Sequence, residues 1–310
     1  MKEFNNCNGL KNLHGIKYGK VTKTRLECPA CELCGEKKGE KVVDLGTFTI
    51  QRCKSCGLGY TSPRIPEKEM LKYYVSEQRK IHRTPKAEGI TSFLRTAWYT
   101  YLSAIKDPCM LEKVPPGKVL DVGCGWGEIL EKLRKRGWET YGIEINRDAA
   151  KHAQGFGRIY TCELTEAKFP KDFFDAVILR HVLEHVYHPL EILAEIHRIL
   201  KTGGILVIEV PEIDSVEARI FKSFFPIWNP PRHLYHFSRS TLEAFLKKSG
   251  FMIVEISHSP SPIGFLSSLD KIFGTGQSFQ HPFFTILFFP FTLMLSKIAP
   301  TCELRVVAKK

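Results

Sequence analysis

A chain of 310 residues that is 43% apolar and 25% charged carries enough apolar material to bury a large core, which excludes a disordered or fibrous protein. Its formal net charge of +12 favours an acidic partner, whether nucleic acid, a phosphorylated substrate or an anionic membrane, without choosing among them. The opening MKEFNNCNGLKNLHGIKYGK is polar and lacks the apolar segment of a secretory signal, so the expectation is a reducing, cytoplasmic compartment.

Residues 1–65 are rich in Lys, Gly and Cys and read as a small separate module. Five of the ten cysteines fall between Cys28 and Cys56. Cys31-x2-Cys34 and Cys53-x2-Cys56 form two pairs with 18 residues between them, a spacing that suits four thiolates around one zinc ion. Gly35 and Gly57, each directly after its pair, permit the turns that aim backbone amides at sulfur. Cys28 offers one alternative ligand. An all-cysteine set leaves no open position for water, so the zinc is expected to be structural. Cys7, Cys109, Cys124, Cys162 and Cys302 are scattered and read as ordinary thiols.

Residues 66–113 turn helical. Leu94, Trp98, Tyr101, Leu102 and Ile105 recur with the helical period, which predicts a stripe packing on the main domain. Val114-Pro115-Pro116-Gly117 ends that segment, and a large domain is expected over 114–310.

From there strands and helices alternate in the rhythm of a parallel sheet. KVLDVG, ETYGIEI, GRIYTCE, FDAVILR and ILVIEVP read as strands. GEILEKLRKRG, RDAAKHAQ, PLEILAEIHRILKTGG and RSTLEAFLKKSG read as helices, and FMIVEIS and ELRVVAK close the chain as two more strands. Gly123, Gly125 and Gly127 stand where the first strand turns into the first helix, so a ligand can lie against bare backbone and a helix N-terminus. Glu144, 21 residues after Gly123, ends the second strand where a carboxylate can accept both ribose hydroxyls. The order Asp121-Val122-Gly123-Cys124-Gly125-Trp126-Gly127 departs from the G-x-G-x-x-G of dinucleotide folds, so hydride chemistry is the poorer reading.

At these residues the sequence resembles the class I S-adenosylmethionine-dependent methyltransferases. The run from Phe169 to Pro211, with Glu184-His185 and Pro189, is similar to the ubiquinone-biosynthesis-like branch, and the N-terminal cysteines resemble the zinc-ribbon-like module joined to such enzymes. The resemblance implies an α/β fold with a doubly wound, seven-stranded, mostly parallel sheet whose last two strands are antiparallel, with insertions at about 212–237 and 262–300. It also implies a cofactor site made of Asp121, Gly123, Cys124, Gly125, Gly127, Glu144, Ile145, Glu163 and Leu164. Glu163, beside Cys162, would accept from the adenine amino group.

A sulfonium methyl is already electrophilic, so the enzyme has to align an acceptor oxygen or carbon and manage one proton. His181 at the end of the fourth strand, and His233 and His236 in PRHLYHFS, are the candidates, His233 first. His185 and His188 read as structural. PRHLYHFS resembles a stretch of sugar C-methyltransferases, but Pro231 and Arg232 stand where those enzymes carry Glu and His. Asn229-Pro230-Pro231 follows the wrong strand for an amino-methylating motif. The expected acceptor is a small or lipid-linked molecule; an RNA methyltransferase is the alternative, disfavoured because basic residues are dispersed and base-stacking aromatics are lacking. The uncharged segment 282–296, PFFTILFFPFTLMLS, is too short for a simple membrane span and contains Pro290. It is expected either buried in the core or an oligomer interface, or lying at the inner membrane surface as a peripheral contact.

Overall fold

The computed structural model describes residues 26–70, 111, 113–259, 262–275 and 282–310. The helical stripe through Trp98 and Tyr101, and Cys7 and Cys109, lie outside the described residues.

The large sheet is built from β4 (Lys118–Val122), β5 (Glu139–Ile143), β6 (Arg158–Tyr160), β7 (Phe174–Arg180), β8 (Leu200–Pro211), β10 (Met252–His258) and β11 (Glu303–Lys309). Its order is β10-β11-β8-β7-β4-β5-β6. Neighbours from β8 to β6 are parallel, whereas β11 runs antiparallel to both β8 and β10. The central strands are apolar at successive positions because both faces are covered. Leu120, Val122, Val177 and Leu179 pack into one core layer, and Val119, Ala176 and Ile178 into the other, as the two-residue period of a strand requires.

Helices α1 (Glu128–Lys135), α2 (Arg147–Ala153), α3 (Pro189–Ile199) and α5 (Arg239–Lys248) connect these strands. Asn146 caps α2 by accepting from the Asp148 and Ala149 amides, and Ser238 with Thr241 forms a capping box on α5. One sequence expectation needs correction: PLEILAEIHRILKTGG does not stay helical to Gly204. The helix stops at Ile199 and Leu200 begins β8, paired with Phe174. The Lys201 ammonium then reaches across to Asp175 Oδ1 at 2.7 Å, so strand pairing outcompetes the helical register there.

A second sheet has the order β1-β2-β3-β9, from β1 (Gly39–Asp44), β2 (Thr49–Cys53), β3 (Gly59–Ser62) and the two-residue β9 (Tyr235–His236). It is therefore not closed within residues 1–65: its fourth strand comes from the insertion after β8, with Gly59 opposite His236 and Tyr60 opposite Tyr235. The contact is reinforced by an Arg52–Asp214 ion pair at 2.5 Å and by the Tyr187 hydroxyl donating to Ile65 O at 2.6 Å.

The insertions add α4 (Val216–Phe221), α6 (Ile263–Phe273) and α7 (Pro282–Ile298). They touch through Phe265, whose ring lies 5.0 Å from Phe221 and 5.5 Å from Phe288. The segment 282–296 thus lies within one 17-residue helix, which contains Pro290. It leaves Phe283, Ile286, Leu287, Phe291, Met294 and Ile298 exposed, so it is not a core helix. No helix among the described residues is long and apolar enough to cross a membrane.

Candidate functional site

The turn after β4 takes its shape from three glycines with positive φ, Gly123 at 73°, Gly125 at 54° and Gly127 at 84°, a region that side chains with a Cβ rarely enter. A Cβ on Gly123 would collide with Val182, while one on Gly125 would meet nothing within 4 Å. The open side of the turn is thus at Gly125, beside the N-terminus of α1. Glu144, just past β5, accepts from the Gly125 amide at 2.9 Å and from the Asn146 amide at 2.7 Å. Ile145 next to it is 46% exposed, an apolar surface suited to a purine ring. Cys162 and Glu163 lie in the loop after β6 with Glu163 exposed and Leu164 buried beneath it. Asp121 and Cys124 are buried under the turn. Burial pushes the Asp121 carboxyl up to about 7 against the Arg180 charge, and Glu144 adds to the rise.

Val182 ties this turn to the second half of the site, since His181 precedes it directly and Glu184 follows two residues later. His181, at the carboxyl end of β7, has φ 54° and a ring 40% exposed, with Nε2 3.1 Å from Glu209 Oε1 and Nδ1 3.5 Å from Glu184 Oε1. Burial favours the neutral ring, but the carboxylates of Glu184 and Glu209 prevail and raise it to about 10. Glu209 is also held by Arg180 at 3.0 Å and Arg305 at 2.6 Å.

His233 is only 8% exposed, and its ring lies 4.6 Å from that of His185. Burial, then the neighbouring imidazoles, hold it neutral well below its ordinary range. His236 is fully enclosed, lowered to about 3 by burial, and its Nε2 is 3.1 Å from Thr61 Oγ1. The Thr61 hydroxyl donates to His233 O at 2.6 Å. His236 and the His233 backbone are thus tied together through Thr61 of the small sheet. His188 stands apart, near Glu32 and Glu67.

From the sequence His185 reads as structural, and Glu184 enters only through the family resemblance. In the structure Glu184 is completely buried, and its carbonyl accepts from the Leu234 and Tyr235 amides. The signal was the His-x-x-Glu-His spacing of residues 181–185, which gathers ligating groups when the chain turns tightly. A separate cavity of about 520 Å³ opens beside the ends of β8 and β10, lined by Glu212, Asp214, Arg239, His258 and Lys297 among others. It lies two strands from the cofactor turn.

The four thiols of the small sheet converge. Cys31 Sγ is 3.4 Å from Cys56 Sγ, Cys34 Sγ is 3.5 Å from Cys53 Sγ, and all four lie within 4.8 Å of one another, without Cys28. Gly35 and Gly57 take φ of 76° and 80°. Amides of Leu33 and Cys34 point at Cys31, and those of Ser55 and Cys56 at Cys53. Such a set fits a tetrahedral ion bound through sulfur at about 2.3 Å.

The sheet order with antiparallel β11, the glycine turn and the acidic residue after the second strand define the class I S-adenosylmethionine-dependent methyltransferase architecture. The sequence model of the family described as "Methyltransferase domain" matches residues 94–256, and the chain belongs to that family. Over 97 residues it is 33% identical to the ubiquinone biosynthesis O-methyltransferase of Alkalilimnicola ehrlichii, covering 28% of this chain and 38% of that one. Over 96 residues it is 36% identical to the enzyme of the same description from Chromobacterium violaceum, covering 28% and 41%. The chain thus spans well under two thirds of the length of these relatives. The solved Burkholderia thailandensis 1,6-didemethyltoxoflavin-N1-methyltransferase aligns over 88% of this chain and 98% of its own at 17% identity, with a TM-score of 0.49.

Proposed function

We propose that the protein transfers the methyl group of S-adenosylmethionine to an oxygen, or alternatively a carbon, of a small or lipid-linked acceptor. The observation that carries this reading is the positive-φ turn whose Gly125 amide is tied to Glu144, joined through the Gly123–Val182 contact to His181 and the buried His233. Asp121 to Gly127 cradle the methionine end. Glu144 takes the ribose hydroxyls, and Ile145, Glu163 and Leu164 hold the adenine. The acceptor then lies over the carboxyl ends of β7 and β8, with His181 and His233 at its reacting end and His236 behind.

The reaction is an in-line displacement. The acceptor's lone pair attacks the methyl carbon, the carbon–sulfur bond breaks with its electrons remaining on sulfur, and the acceptor proton leaves. Positioning supplies most of the acceleration. Cys31, Cys34, Cys53 and Cys56 bind a structural Zn2+, and the exposed apolar side of α7 rests on a membrane surface, which brings a greasy acceptor to the site.

The test is incubation with methyl-labelled S-adenosylmethionine and separate lipid, aqueous and nucleic-acid extracts. Label in the lipid or small-molecule fraction supports the reading; label confined to RNA replaces it with RNA methylation.

A further inference from the structure

The cavity of about 520 Å³ at the carboxyl ends of β8 and β10 lies on the β10 side of β8, away from the cofactor turn. Most of its charges answer one another: Arg52 holds Asp214, and Arg239 holds Glu243 at 2.9 Å. Two groups are left over. Glu212, 2% exposed, spends Oε1 on the Asp214 amide at 3.0 Å, while its Oε2 is buried without a hydrogen-bond partner. His258 Nε2, likewise buried and without a hydrogen-bond partner, lies 3.7 Å from that oxygen. The gap is too wide for a bond between them, yet one donor atom placed over it reaches both. At the rim, Lys297 in the last turn of α7 is exposed and has no ion-pair partner among the described residues. Ser238, Arg239 and Ser240 bring the N-terminus of α5 to the same cavity, a helix end that favours anions.

The cavity is thus anionic at depth, cationic at its rim and bordered by apolar side chains. Ile298 lines it and is 75% exposed. Leu287, Phe291 and Met294, also exposed, precede Ile298 at spacings that place all four on one face of the helix.

We propose that this cavity binds the head of an aminophospholipid, with the primary ammonium between Glu212 and His258, the phosphate against Lys297 and the first turn of α5, and the acyl chains along α7. The proposal rests on the membrane contact of α7 and gives that contact a lipid. A buried carboxylate without a matching cation is costly, and an ammonium supplies both the charge and three N–H donors. With His258 protonated on Nδ1, its Nε2 accepts one of them and Glu212 Oε2 another. A hydroxyl-bearing head would bridge the same two atoms but leave the Glu212 charge unmatched. A quaternary ammonium would match the charge but has no N–H to donate. Because the cavity lies beyond β8 from the cofactor turn, the lipid serves as an anchor beside the acceptor and does not take its place.

The experiment is flotation of the full-length protein with two sets of vesicles equal in phosphatidylglycerol, the remainder being phosphatidylethanolamine in one and phosphatidylcholine in the other. S-adenosylhomocysteine affinity is measured on the same samples. Wild type should partition about tenfold more strongly into the phosphatidylethanolamine set. Glu212→Gln, which keeps Oε1 for the Asp214 amide, and Lys297→Gln, on the exposed surface, should each bring the two sets within about threefold of one another and leave S-adenosylhomocysteine binding unchanged. Equal partition of wild type into both sets overturns the proposal and leaves the membrane contact standing. Persistence of the full preference in Glu212→Gln also overturns it, since the preference would then come from lipid packing and not from the cavity. Absence of wild-type binding to either set overturns the membrane contact and the proposal together.

Discussion

Replacing Glu144 with Ala tests the cofactor site at the residue on which its geometry turns. In the structure this carboxylate accepts two backbone amides, from Gly125 at 2.9 Å and Asn146 at 2.7 Å, and it is only partly buried. A carboxylate has about four acceptor positions, so two remain for the ribose diol. Charge-assisted bonds of this kind, weighed against the water they displace, give about 1.5–3 kcal/mol of binding, which corresponds to a roughly 10- to 150-fold rise in Kd. The two amides left behind reach water, so melting should change by no more than about 1 kcal/mol of stability. Glu144→Gln keeps one acceptor oxygen and should fall between. Calorimetry with S-adenosylhomocysteine at fixed salt measures this directly, with a thermal melt of the same samples. Unchanged affinity in the Ala variant, with the fold intact, would refute the placement of the ribose.

Asp121 gives a pH signature. Its folded carboxyl, at about 7 against an ordinary 3.8, holds its proton while the unfolded chain has released it, so stability is full below about pH 4 and is lost as pH rises toward 7. The loss amounts to at most about 4 kcal/mol, and Asp121→Asn should therefore melt above wild type at pH 8 but not at pH 4; equal melts at both would count against it. His233→Ala should keep cofactor affinity and lose about 10²–10⁴ in turnover, read from single-turnover label transfer. Thr61→Val removes the donor to His233 O and the partner of His236, so acceptor turnover should drop about tenfold with cofactor affinity unchanged; normal turnover would uncouple the small sheet from the site. Changing Phe283 and Leu287, both exposed on α7, to Ser should abolish flotation with anionic liposomes that bind the intact chain, and no binding by the intact chain removes the membrane contact.

The sequence spoke most clearly where backbone chemistry restricts the choice of residue. Gly123, Gly125 and Gly127 announce a turn because positive φ excludes most side chains, and paired cysteines announce convergence because few other uses need that spacing. Contacts between distant segments left no such mark. Thr61 meets His236 across 175 residues, and no local pattern in either segment requires the other. The burial of Glu184 is not legible in the sequence, because charge alone does not reveal burial and Leu234 and Tyr235, whose amides donate to its carbonyl, belong to a distant segment. The boundary between α3 and β8 has no local mark for a related reason, since Leu200 is apolar in either register and its partner Phe174 lies in another strand.

Because β9 completes the small sheet, the order in which the chain is made matters to how it assembles. When Ser62 leaves the ribosome its strand has one free edge, and the residues that cover it are still about 170 positions from being synthesised. Closing so long a span costs loop entropy and delays the pairing until the nucleotide-binding half has formed. Until then β3 is an open edge able to recruit another chain. A shortened protein ending before Tyr235 would carry that edge permanently, so the cysteine-bearing segment should aggregate when expressed alone and gain solubility when residues 230–238 are supplied as a peptide.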